Sequence, residues 1–140
     1  MNSPLEAYTM MQSYLLSGRV DKIGKVVDLE NYTENCVGLT GWTTGFQVAL
    51  KNWTSGFGAA WSDLRSEVED AVEAGNTAVI RQKMEGKHSG PLLGIKPKGR
   101  TVSFEMVDMF KVKDGKIIWR WIFADLYGIE QSLKRPQPEL

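Results

Sequence analysis

The stretch TVSFEMVDMFKVKDGKIIWRWIFAD, residues 101–125, constrains the fold more than any other part of the chain. An Asp-Gly pair, Asp114-Gly115, separates two long runs in which apolar and polar residues alternate. Asp-Gly suits a two-residue turn with positive φ at both central positions, and the twist of that turn matches paired strands. The segment therefore predicts an antiparallel hairpin. Successive strand side chains point to opposite sides, so alternation sorts them. Val102, Phe104, Met106, Asp108 and Phe110 share one side of the first strand. Ile117, Trp119, Trp121, Phe123 and Asp125 share one side of the second.

The earlier sequence supplies the rest of an α+β architecture. Ser3-Pro4 followed by LEAYTMMQSYLLSG predicts a helix capped by Ser3 and stopped by Gly18. VDKIGKVV predicts a short helix and NYTENCVGL an extended segment. TGFQVALKNWTSGFGAAW predicts a helix from Thr43 or Thr44, weakened by Gly45, Gly56 and Gly58. DLRSEVEDAVEA suits helix or strand. TAVIRQKMEGKHSG alternates as a strand, with Ile80, Gln82, Met84, Gly86 and His88 on one side. PLLGIKPKGR is a loop. Helices first and antiparallel strands later predict helices packed on one curved sheet. The expected organisation is one domain over residues 1–133 and a tail over 134–140.

Charge narrows the partners. Seventeen basic residues balance seventeen acidic ones, so neither nucleic acid nor an anionic membrane is an expected partner. The single cysteine, Cys36, makes no internal disulfide, and the first twenty residues lack the pattern of a secretory leader. A cytoplasmic location is the expectation. One histidine without a closely spaced partner argues against a metal site.

The inward strand faces form a largely apolar wall with few polar groups, the usual form of a small-molecule pocket. Its titratable members are His88, Asp108 and Asp125, the candidate catalytic groups. Trp42, Trp53, Trp61, Met84, Phe104, Met106, Trp121 and Asn35 are the candidate substrate-binding residues. Plainer roles stand beside these. Asp125 suits the N-cap of a helix over LYGIEQSL, His88 a surface turn, Asp108 an ion pair, and the Trp and Met stripe a core.

The run GKHSGPLLGIKPKGRTVSFEMVDMFKVKDGKIIWRWIFADLYGIEQSL resembles the SnoaL-like polyketide cyclase family, also called ester cyclases. The matches are His88, Gly90, Gly94, Pro97, Gly99, Arg100, Asp114, Gly115, Lys116, Ile117, Trp121, Asp125 and Gly128. The resemblance implies a cone-shaped α+β barrel and a homodimer or higher homo-oligomer. It also implies an intramolecular aldol cyclisation of a hydrophobic polyketide-like molecule, without metal or cofactor, in which Asp125 matches the acid/base position. The chain departs from the family pattern at Ile122, where a second Asp often follows the tryptophan, at Glu34-Asn35, where Asp-His is frequent, and at Lys98. Two alternatives remain open: an isomerase, epoxide hydrolase or dehydratase acting on a terpenoid or polyketide-like ligand, and a non-catalytic ligand-binding or dimerisation module.

Overall fold

In the computed structural model, which describes residues 1–136, three α-helices pack on one six-stranded curved sheet that does not close. Helix α1, Pro4–Leu16, begins as its sequence predicts. The Glu6 N–H donates to the Ser3 hydroxyl at 3.3 Å, and the Ser3 N–H donates to the Glu6 carboxylate at 3.1 Å. This reciprocal cap satisfies donors that a helix start otherwise leaves open. A 3₁₀ turn follows at Val20–Lys25.

Strands β1, Thr33–Cys36, and β2, Gly41–Thr44, form a short antiparallel pair. Helix α2 runs from Phe46 to Ser55. The helix expected from Thr43 or Thr44 thus starts later, because ladder bonds to β1 claim both threonines. Strands β3, Trp61–Ala74, and β4, Thr77–His88, pair antiparallel, as do β5, Thr101–Lys113, and β6, Lys116–Ala124. Asp114 and Gly115 hold φ of 52° and 76°, as the predicted turn requires. Helix α3, Leu126–Lys134, closes the described chain, so the tail expected over 134–140 begins inside a helix and residues 137–140 lie outside the described residues.

The sheet order is β2-β1-β6-β5-β4-β3. β1 runs parallel to β6 and sets Glu34 opposite Arg120 and Asn35 opposite Trp121. Apolar burial falls in two clusters. One joins α1 and α2 to the sheet through Tyr8, Met11, Ile23, Phe46, Ile80, Phe110 and Ile117. The other joins α3 to it through Trp61, Met84, Phe104, Met106, Ile122, Ile129 and Leu133. Each fully buried side chain of this kind contributes roughly 1.5–3 kcal/mol. Among the described residues no helix is long and apolar enough to cross a membrane.

The inward faces of β4 and β5 are those expected from alternation. The face of β6 is not. Val112 pairs with Ile117 and Lys111 with Trp119, which leaves Ile118 as an extra residue on β6. Such a bulge reverses the alternation beyond it. Ile117 points inward, but from there Arg120, Ile122 and Ala124 stand opposite the inward residues Phe110, Asp108 and Met106. Trp119, Trp121, Phe123 and Asp125 therefore face the convex side, which corrects the shared inward face expected for them.

Candidate active site

Between the two apolar clusters lies a polar row. Gln82 on β4, Asp108 on β5, Arg120 on β6 and Glu34 on β1 all point inward. Asp108 is completely buried, and Arg120 Nη2 donates to its Oδ2 at 2.8 Å. Gln82 Nε2 donates to the same oxygen at 3.3 Å, and the Tyr8 hydroxyl approaches it at 3.5 Å. Gln12 Nε2 in turn donates to the Tyr8 hydroxyl at 2.7 Å. The Tyr32 hydroxyl donates to Glu34 Oε1 at 2.6 Å and fixes that carboxylate. A buried carboxylate is tolerated only when paired in this way.

The surroundings hold the protonation of three neighbours. Burial pushes the Tyr32 phenol well above its ordinary range, so it remains a donor to Glu34. Burial and then the Asp108 charge push Tyr8 up as well. Burial works against the Arg120 charge, but the negative charges around it, Asp108 first, outweigh this and hold its pKa well above the usual guanidinium value.

This row opens on an interior cavity of about 560 Å³. Its apolar walls include Leu15, Leu50, Trp53, Met84, Met106 and Ile122, and Glu34, Gln12, Gln82 and Arg120 supply polar edges. A wider trough of about 830 Å³ lies on the convex side between Val107, Met109, Trp121, Phe123 and Tyr127. It is open and almost entirely apolar. The interior cavity is the better candidate site, because several hydrogen-bonding groups converge there.

The structure divides the residues singled out from the sequence. Trp53, Met84 and Met106 line the cavity. Asp108 lies behind Arg120 and reaches the cavity through it. Trp61 and Phe104 stack with ring centroids 5.2 Å apart in the α3-side core. His88 is fully buried beside Trp61, not at the surface. The Lys98 N–H donates to its Nδ1 at 3.1 Å, which ties down the 89–100 loop. Trp42, Asn35 and Trp121 form one row across β2, β1 and β6 on the convex side, away from the cavity. Asp125 is exposed and caps α3, its Oδ1 accepting the Gly128 N–H at 2.9 Å.

Alternation does not bring out Glu34, Arg120, Gln12, Tyr8 or Tyr32. Arg120 had one signal, a charge placed between Trp119 and Trp121 in a strongly apolar strand. Glu34 had another, its position where the family pattern often carries Asp-His.

A family model described as SnoaL-like polyketide cyclase matches residues 5–133, and the chain belongs to that family. Three solved structures show the same architecture. IdmH from Streptomyces antibioticus is 22% identical, with 94% of this chain and 99% of that one covered and a TM-score of 0.77. A SnoaL-like polyketide cyclase from Agrobacterium tumefaciens is 21% identical, with 95% and 99% covered and a TM-score of 0.73. TsrD from Streptomyces laurentii is 25% identical, with 91% and 95% covered and a TM-score of 0.69. A comparison with curated proteins gives no match. The likeness fixes the fold as the α+β cone of this family, here with an open six-stranded sheet.

Proposed function

We propose that the chain is a cofactor-independent acid/base enzyme of the polyketide-cyclase type, acting on a hydrophobic polyketide-like molecule in the interior cavity. The observation that carries this is the placement of Glu34, a carboxylate oriented by Tyr32, on the edge of a mainly apolar cavity beside Arg120. Asp125 takes no part, because its side chain is exposed on the convex side and is used to cap α3.

In an intramolecular aldol closure Glu34 takes a proton from the carbon alpha to a carbonyl. That carbon attacks a second carbonyl of the same molecule, and one C–C bond forms. The new alkoxide receives the proton back from the Glu34 carboxyl, so nothing is lost or gained. Such proton transfer contributes about 10²- to 10⁴-fold in rate. Holding a flexible chain in its ring-closing pose contributes more, and Trp53, Met84 and Met106 shape that pose. Ile122 lines the same cavity where the family pattern often has a second Asp, so the carboxylate facing this cavity comes from β1 instead.

The test is exchange of the α-protons of 2-tetralone for deuterium, followed by NMR. Wild type should catalyse exchange, and Glu34→Gln should lower the rate by about 10²–10⁴ with unchanged melting. Full exchange activity in Glu34→Gln refutes the assignment.

The same proposal includes a homodimer in the cytoplasm. Trp42, Trp121 and Phe123 are 59%, 39% and 52% exposed on the convex side. Their rings continue through Trp119 in contacts of 6.2–6.3 Å. A contiguous apolar patch of this kind marks an interaction surface, and a self-complementary two-fold contact is its commonest form.

A further inference from the structure

We infer that Arg120 is an oxyanion subsite, and that the cavity accepts molecules whose enolisable carbonyl docks on its guanidinium. This rests on the acid/base proposal above and names its substrate class.

A guanidinium carries five N–H donors in a planar fork. Here Nη2 is given to Asp108, and Nε is buried without a hydrogen-bond partner among the described residues, so only the rest of the guanidinium can meet a ligand. The side chain is only 15% exposed and lines the cavity. A charged group on the edge of a mainly apolar cavity favours a ligand that brings a hydrogen-bond acceptor to it. A ligand of hydrocarbon alone offers no acceptor for it.

Register supplies the chemistry. Arg120 and Glu34 are direct partners on adjacent parallel strands, and both point inward. When Glu34 takes the α-proton, its carboxylate becomes neutral and the substrate oxygen gains the negative charge. The charge thus moves from one neighbour of Arg120 to another, and the sum of charges in the site is unchanged. Fixed, preorganised donors stabilise such a developing oxyanion better than freely reorienting water does. Asp108 is a positioning residue: its Oδ2 holds Nη2, and Gln82 and Tyr8 hold that oxygen.

The experiment uses two probes at pH 7: benzoylacetone, an enolisable 1,3-diketone, and butyrophenone, which has one carbonyl and much less acidic α-protons. Wild type should raise the ultraviolet enolate band of benzoylacetone, with a preference for enolate over enol of about tenfold, equal to about one pKa unit. Arg120→Lys keeps a charge for Asp108 but removes the planar fork, and should lose most of that band. Circular dichroism checks the fold. Should Arg120→Lys fail to fold, Asp108→Asn weakens the anchor of Arg120 by removing its charged partner. It should shrink the band while butyrophenone affinity stays constant.

A band of wild-type size in the folded variant overturns the subsite. So does equal wild-type affinity for the two probes. Either result leaves the 2-tetralone exchange by Glu34 untouched, so the two ideas fail separately. If neither probe binds and exchange is absent, both fail together.

Discussion

Asp125 and Gly128 are built as one unit: the carboxylate accepts the Gly128 N–H at 2.9 Å, and a Cβ at position 128 would collide with that carboxylate. The Asp-x-x-Gly spacing is therefore a helix start in which any larger residue three positions on would require the Asp125 carboxylate to shift. Asp125→Asn should leave melting and exchange activity near wild type, since Asn caps as well as Asp. Asp125→Ala should cost about 0.5–2 kcal/mol in denaturant unfolding without affecting exchange. A large loss of activity in Asp125→Asn would return Asp125 to the mechanism.

Removing Asp108 should affect stability in a different way. Its partner Arg120 is largely buried, and truncation strands that charge. Asp108→Ala should lower unfolding free energy by about 3–5 kcal/mol, the usual result of breaking a buried pair. Asp108→Asn should cost less, because Gln82 and Tyr8 still find a polar atom. Equal stability of Asp108→Ala and wild type would show that Arg120 escapes to water.

His88 should make stability depend on pH. Burial lowers its pKa below the ordinary 6.5, and the charges of Lys98 and Arg100 lower it further, against a Gly90 backbone contact that raises it. A lowered folded-state pKa means the unfolded chain binds the proton first. Stability from this residue is therefore present above about pH 6.5 and declines as pH falls below that value, until the folded-state pKa is passed. The melting temperature of wild type relative to His88→Asn should fall on acidification over this range. A difference that is flat from pH 7.5 to about pH 5 contradicts this assignment.

The convex aromatics should govern assembly. Trp121→Glu or Phe123→Glu puts charge into the exposed row without touching the core. Light scattering at micromolar concentration should then give half the wild-type mass, with the circular dichroism spectrum retained. A wild type that is already monomeric refutes the dimer.

The sequence by itself determined the capped first helix, the Asp114-Gly115 hairpin and the inward faces of β4 and β5. Each rests on local rules: a cap three residues wide, a turn two residues wide, and alternation along uninterrupted strands. Asp108 was legible as an inward carboxylate for the same reason. The tertiary structure decided the rest of the site. Whether Ile118 stands as an extra residue depends on how β6 pairs with β5, and no local signal marks it. That one insertion turned Asp125 and Trp121 outward and Arg120 and Ile122 inward. The parallel pairing of β1 with β6 then joined Glu34 to Arg120, residues separated by 85 others along the chain. Alternation is a property of one strand, whereas a site made from four strands depends on register, and register is settled only when the strands meet.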